Sequence, residues 1–130
     1  MRPIILIVED DADLQKMLGL VLEQAGYEVI TAESGQQALV YAEMSPVALI
    51  ILDIMLAGYL DGQQVLSRLK GNPVTAPIPV IATSAYRDDE RIQELLVEGA
   101  ESFVLQPYEP RELLRIVADI LTGPGEPPLV

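Results

Sequence analysis

Two strongly apolar runs in this chain each lead into acidic residues, and this pattern restricts the folds that the chain can adopt. Residues 4–8 are all isoleucine, leucine or valine and precede three acids at 9–11, whereas residues 47–52 are apolar throughout and precede Asp53. Short continuous apolar runs are typical of strands buried on both faces of a parallel sheet. If the two runs are such strands, their acids meet at one edge. Carboxylates that close repel one another, and a shared divalent cation offsets the repulsion.

The rest of the chain alternates further apolar runs with segments of helical periodicity. Ser34 and Pro110 are residues that favour helix starts, and a fourth helix is predicted from about residue 88. Five strands alternating with five helices indicate an α/β fold, a doubly wound parallel sheet with helices on both faces. Such sheets bind ligands at the carboxyl ends of their strands, where Glu9, Asp10 and Asp53 lie. The predicted strands cover residues 4–8, 27–32, 48–52, 79–83 and 103–105.

Composition narrows the function classes. The 130 residues are half hydrophobic, which predicts one domain over residues 1–122 and leaves a Pro/Gly-rich tail or linker stump at 123–130. A net charge of −12 argues against direct nucleic acid binding, and no apolar run is long enough for a membrane span. The absence of cysteine and histidine excludes disulfides, thiol nucleophiles, histidine-based triads and ordinary zinc sites. We expect a cytoplasmic protein.

Several short motifs follow one another over about residues 3–121. They are Ile-Leu-Ile-Val-Glu-Asp-Asp at 5–11, Leu-Ile-Ile-Leu-Asp-Ile-Met-Leu at 49–56, Asp-Gly at 61–62, Val-Ile-Ala-Thr-Ser-Ala at 80–85, Glu-Gly-Ala at 98–100, and a proline after the fifth strand. Together they resemble the CheY-like receiver domain of two-component response regulators. The resemblance implies a flavodoxin-like (βα)5 fold with strand order 2-1-3-4-5.

The resemblance also assigns roles at the acidic edge. Asp53 matches the aspartate that accepts a phosphoryl group, and Glu9 and Asp10 match the acids that hold Mg²⁺ together with Asp53 and the backbone carbonyl of Met55. The donor would be a phosphohistidine of a histidine kinase or phosphotransfer protein, or a small acyl phosphate. A carboxylate nucleophile forming an aspartyl-phosphate suits these residue types. The domain would be a phosphoacceptor that catalyses only its own phosphorylation and dephosphorylation.

Two positions match residues that respond to the phosphoryl group, and two match residues that control its lifetime. Ser84 matches the hydroxyl that bonds it, and Phe103 matches the aromatic switch residue. Met55 and Tyr86 occupy the two positions that tune hydrolysis, where bulky side chains should exclude water and give a long-lived phosphoform.

Several of these residues also have a purely structural explanation. Asp10 and Asp11 are suited to capping the first helix, and capping is compatible with metal binding. Ser84 taken alone is typical of a turn or cap hydroxyl. Phe103 is equally well explained as a core residue. The assignments therefore depend on one another.

The chain departs from the receiver pattern at two places. Gln106 precedes Pro107 where receivers carry a lysine that contacts the phosphoryl oxygens, and an amide donates a hydrogen bond without bringing charge. We predict that Mg²⁺ binding survives and that switching is weakened or rerouted; Arg87 is either a substitute cation or a solvated loop residue. The loop at 56–62 is one residue longer than usual and lacks a proline, which makes it either more mobile or a neutral insertion.

The expected output is a conformational change at the face formed by the fourth helix, fifth strand and fifth helix, read by a downstream effector protein or domain. A homodimer through this face is left open, because Ser102 and Ile116 stand where the dimerising subfamily has an aspartate and an arginine. The alternative function is a pseudo-receiver, a phosphorylation-independent interaction module. The retained acids argue against that alternative, and Gln106 argues for it.

Overall fold

Five strands and five helices alternate along the chain, as the sequence predicts. The structure is a computed structural model, and it describes residues 2–85 and 89–122. The elements are β1 (Ile4–Val8), α1 (Ala12–Gln24), β2 (Glu28–Ala32), α2 (Gly35–Met44), β3 (Val47–Asp53), α3 (Gly62–Gly71), β4 (Val80–Ser84), α4 (Asp89–Val97), β5 (Ser102–Leu105) and α5 (Pro110–Thr122). The predicted tail at 123–130 lies outside the described residues, so the domain boundary stays a prediction.

All strand pairs are parallel, and the sheet has the order β2-β1-β3-β4-β5. This confirms the expected doubly wound topology and places β1 and β3 side by side. The register pairs Val8 with Leu52, so the residues that follow β1 emerge beside the end of β3. The strand order therefore brings the two acidic segments to one edge.

The sheet is buried on both faces, because successive side chains of a strand point to opposite sides. One face, here called the α1/α5 face, packs against Leu18 and Leu22 of α1 and against Leu113 and Val117 of α5. The other, the α2–α4 face, packs against α2, α3 and α4. Each fully buried Leu, Ile or Val contributes about 1.5–3 kcal/mol. The strand residues of the α1/α5 face are Ile5, Ile7, Leu49, Ile51, Ile81 and Val104.

Side-chain caps fix the helix starts that border the carboxyl edge. Asp11 accepts hydrogen bonds from the N–H groups of Asp13 and Leu14, and Asp61 forms a reciprocal capping box with Gln64. Each such cap stabilises its helix by about 1 kcal/mol. Asp11 is thus a helix cap, one of the roles that the sequence allows. No helix within the described ranges is both long and apolar enough to span a membrane.

Candidate functional site

Glu9, Asp10 and Asp53 meet at the carboxyl edge of the sheet. One carboxylate oxygen of each lies within 4.8 Å of the other two. The side chains of Glu9 and Asp53 are 4% and 8% exposed, respectively, whereas Asp10 is exposed. The predicted convergence of these acids is confirmed. Two nearly buried carboxylates beside a third make a compact acidic cluster.

Backbone N–H groups orient all three carboxylates. The N–H of Asp11 donates to Glu9 Oε2 at 3.1 Å, that of Met55 donates to Asp53 Oδ1 at 2.9 Å, and that of Ala57 donates to Asp10 Oδ2 at 3.2 Å. Two of these donors come from the segment that follows β3. That segment is therefore hydrogen-bonded to Asp10, which is distant in sequence, as well as to Asp53, which directly precedes it.

The local environment resists full ionisation of the cluster. Burial, opposed by the Asp11 N–H and reinforced by the charges of Asp53 and Asp10, raises the pKa of Glu9 to about 7. Burial also raises the pKa of Asp53, and the Met55 N–H opposes that shift. A hard divalent cation bound by carboxylate oxygens would remove this cost, so the donor set fits Mg²⁺.

Without a divalent cation, the free energy of unfolding should fall as the pH rises from about 4.5 to about 7. Unfolded glutamate loses its proton near pH 4.5, whereas folded Glu9 keeps its proton up to about 7. The folded state therefore binds more protons in this window and is favoured at its acidic end. The loss should be on the order of 3 kcal/mol, since each pKa unit between about 4.5 and about 7 corresponds to about 1.4 kcal/mol.

Denaturant unfolding in a chelator, at about pH 5 and about pH 8, measures this dependence. Glu9→Gln is the control, because the variant lacks the titrating group and should lose less stability across the same interval. Equal pH dependence in the two proteins would contradict the prediction.

The ends of β4 and β5 complete the edge. Ser84 is the last residue of β4 and is fully buried. The Gln106 backbone N–H donates to the Ser84 carbonyl at 2.8 Å, while its side-chain Nε2 donates to Thr83 Oγ1 at 3.2 Å. Thr83 is a residue that the sequence reasoning missed. The sequence feature that could have indicated Thr83 is its hydroxyl, which ends the otherwise apolar run Val-Ile-Ala-Thr at 80–83.

Tyr108 is a second residue that the sequence reasoning missed. Burial first, and then the negative charges of Glu9 and Asp53, raise the pKa of this phenol to about 12. The side chain lines an open cavity of about 460 Å³ between α1 and the segment after β5, together with Leu14, Met17, Ala85, Gln106 and Pro107. The acid cluster thus has a neutral phenol within electrostatic range.

Of the remaining predicted residues, the structure describes Phe103 and Met55. Phe103 is partly buried and packs against the core of the α2–α4 face, as the structural alternative for it requires. Met55 is 51% exposed, and Tyr86 and Arg87 lie outside the described residues. The Mg²⁺ role of the Met55 carbonyl and the switch and lifetime roles stay predictions.

The loop after β3 is anchored at both ends. Leu56 and Leu60 are each 3% exposed, whereas Tyr59 between them is 83% exposed. Gly58 has φ +115°, a left-handed conformation that glycine adopts without steric cost. Buried leucines on either side of an exposed turn restrict how far the loop can move from the acids.

Comparison with known proteins identifies relatives that match nearly the whole chain. A family model described as the response regulator receiver domain matches residues 5–118. The phosphate regulon transcriptional regulatory protein PhoB of Pseudomonas aeruginosa is 42% identical over 126 residues, covering 94% of this chain and 54% of the relative. The alkaline phosphatase synthesis transcriptional regulatory protein PhoP of Bacillus subtilis is 37% identical over 118 residues, covering 90% and 48%. The chain thus spans about half the length of these relatives.

Solved structures agree with this family. A putative response regulator from Chloroflexus aurantiacus is 34% identical, with a TM-score of 0.87, and the match covers 95% of this chain and all of that one. The chemotaxis response regulator CheY4 of Vibrio cholerae is 26% identical, with a TM-score of 0.86 over 93% of this chain and all of that one.

Proposed function

This chain belongs to the response regulator receiver family, and from that premise we propose that Asp53 is its phosphoacceptor and that Glu9, Asp10 and Asp53 bind Mg²⁺. The observation that carries the proposal is the convergence of the three carboxylates within 4.8 Å. In receivers an acidic pocket of this kind binds Mg²⁺, and here the Met55 backbone carbonyl would complete the protein ligands. When bound, the cation supplies charge neutralisation at the phosphoryl oxygens.

Asp53 would act as the nucleophile. A carboxylate oxygen attacks phosphorus in a phosphohistidine of a histidine kinase or phosphotransfer protein; the new O–P bond forms as the P–N bond breaks, and the electron pair leaves with the imidazole nitrogen. The Met55 N–H, at 2.9 Å from Asp53 Oδ1, holds the carboxylate orientation during the attack. Phosphoryl transfer depends mainly on such positioning and on neutralising charge.

Ser84 and Gln106 would contact the transferred group. The buried Ser84 hydroxyl, at the end of the strand next to β3, would donate to a phosphoryl oxygen. Gln106 stands where receivers carry lysine, so it offers neutral N–H donors in place of a cation. Phe103, which lies in β5 and packs on the α2–α4 face, would carry the response to the face formed by α4, β5 and α5.

The relatives support a proposal for the role of the whole protein. Their names describe transcriptional regulatory proteins about twice as long as this chain. We infer a histidine kinase or phosphotransfer protein upstream, an effector protein or domain downstream, and a cytoplasmic location. A homodimer of receivers is a further proposal, and an aspartyl-phosphate formed on the chain itself would be its only covalent chemistry.

Incubation with acetyl phosphate and Mg²⁺, followed by intact-protein mass spectrometry, tests the proposed function. Wild-type protein should gain one phosphoryl group, and Asp53→Asn should gain none because an amide is a far weaker nucleophile. Asp13→Asn is a matched control: it also removes a carboxylate, but from an exposed position in the first turn of α1. This variant should be modified like wild type. Absence of an adduct on wild type with any donor would favour the pseudo-receiver.

A further inference from the structure

A buried threonine lies beside the phosphoacceptor on the same face of the sheet. Asp53 and Thr83 are register partners in β3 and β4, as are Ile51 and Ile81 two residues earlier. Both isoleucines pack on the α1/α5 face, and side chains alternate along a strand, so Asp53 and Thr83 point to that face as well. Neighbouring strands are about 4.8 Å apart, so the two side chains are neighbours on that face.

Gln106 reaches the same place from the other side of Thr83. Val104 is the register partner of Thr83 in β5 and also packs on the α1/α5 face, and Gln106 follows it by two residues. The Gln106 amide Nε2 donates to Thr83 Oγ1 at 3.2 Å. Asp53 at the end of β3, Thr83 in β4 and Gln106 one residue after β5 therefore form a polar row along the carboxyl edge.

Packing alone does not require a hydroxyl at position 83. Thr83 is 2% exposed and follows Val80, Ile81 and Ala82, which are fully buried. A valine would have nearly the same shape, and a buried hydroxyl adds a hydrogen-bonding requirement that costs free energy when it is unmet. The partner that meets this requirement is the side chain at the lysine position of the family.

We propose that Thr83 is a positioning residue for phosphoryl transfer: its hydroxyl holds the Gln106 amide beside Asp53. This inference rests on the proposed function of Asp53. An amide group is planar, so fixing one N–H on Thr83 also fixes the direction of the other N–H. Orientation then compensates in part for the missing lysine charge, because a donor that is already in place pays no ordering cost during transfer.

Removing the hydroxyl should slow phosphorylation. With saturating Mg²⁺, Thr83→Val should reduce the rate of Asp53 phosphorylation by acetyl phosphate about tenfold, the effect of one well-oriented hydrogen bond. Thr83→Ser keeps the hydroxyl and should stay within about twofold of wild type. An unchanged rate in Thr83→Val would overturn the proposal.

Double variants show whether Thr83 acts through Gln106. Thr83→Val combined with Gln106→Ala should be no slower than Gln106→Ala alone, because residues that act as a unit are not additive. In a Gln106→Lys background, Thr83→Val should have no effect, since the lysine side chain does not depend on the hydroxyl. Fully additive losses in the first pair would overturn the proposal.

Thr75→Val controls for the loss of any buried hydroxyl. Thr75 is also 2% exposed, and its Oγ1 donates to the Leu69 carbonyl at 2.7 Å, in the segment after α3. This variant should lower the unfolding midpoint and leave the phosphorylation rate unchanged. An equal loss of rate in Thr75→Val and Thr83→Val would show a structural effect and overturn the proposal.

A spectroscopic measurement separates the inference from the proposed function. On addition of beryllofluoride and Mg²⁺, the Gln106 side-chain N–H resonances should shift strongly in wild type and Thr83→Ser and weakly in Thr83→Val. If wild-type Asp53 accepts neither beryllofluoride nor phosphate, the proposed function fails and the inference fails with it. If Asp53 is modified but the three proteins respond alike, only the role of Thr83 is overturned.

Discussion

Replacing Gln106 with lysine should raise the rate of Asp53 phosphorylation by on the order of a hundredfold. A unit charge about 4 Å from a phosphoryl oxygen contributes about 4 kcal/mol at an effective dielectric constant near 20. Since each 1.4 kcal/mol corresponds to about tenfold in rate, this sets a ceiling near a thousandfold. Screening by water and by the bound cation lowers the expected gain.

The measurement is the initial rate of phosphorylation by acetyl phosphate, with tyrosine and amide spectra recorded before and after beryllofluoride to follow the conformational response. Gln93→Lys is the matched control, because it makes the same change in net charge at an exposed position on α4. Its rate should equal that of wild type. If Gln106→Lys changed neither the rate nor the response, the prediction that Gln106 weakens switching would be wrong.

The architecture could be predicted because its signals are local. Most strands are short apolar runs and the helices carry apolar stripes, so the order of the elements follows from periodicity. The strand order follows from the family resemblance. The observed ends of the two strands at the site lie one residue beyond the predicted ends. β3 and β4 end on Asp53 and Ser84, beyond the apolar runs, because the Ile54 N–H continues the sheet by donating to the Thr83 carbonyl at 2.9 Å.

The meeting of the acids could be predicted for the same reason, since parallel strands bring their carboxyl ends to one edge. The contacts of the other side chains around the acids could not be predicted. The hydrogen bond from Gln106 to Thr83 joins residues 23 apart in sequence and depends on the register of β4 against β5. The approach of Tyr108 to Glu9 and Asp53 depends on how the segment after β5 folds toward α1. Apolar periodicity carries no information on either.

Replacing Gly62 with alanine should destabilise the fold by about 3 kcal/mol, the upper part of the range for overpacking. Gly62 is the first residue of α3, and a Cβ there would lie 2.4 Å from both the Asp53 carbonyl oxygen and Ile54 Cα. These are backbone atoms of the sheet edge, so they cannot rotate away as a side chain would. Either α3 or the end of β3 must move. For a domain of this size, the unfolding midpoint should fall by about 10 °C.

The same substitution should also weaken the site, because the displaced backbone carries Asp53. Mg²⁺ affinity, measured by calorimetry at a temperature where the variant is folded, should fall along with the unfolding midpoint. Gly71→Ala is the matched control at the other end of α3: nothing lies within 4 Å of its added Cβ. Alanine favours helix over glycine by about 0.5–1 kcal/mol, so this variant should equal or exceed wild type in stability and bind Mg²⁺ unchanged. If Gly62→Ala and Gly71→Ala had equal unfolding midpoints, the end of β3 would accommodate the added methyl group without loss of stability. The close approach of Gly62 to the backbone of β3 would then not fix the position of Asp53.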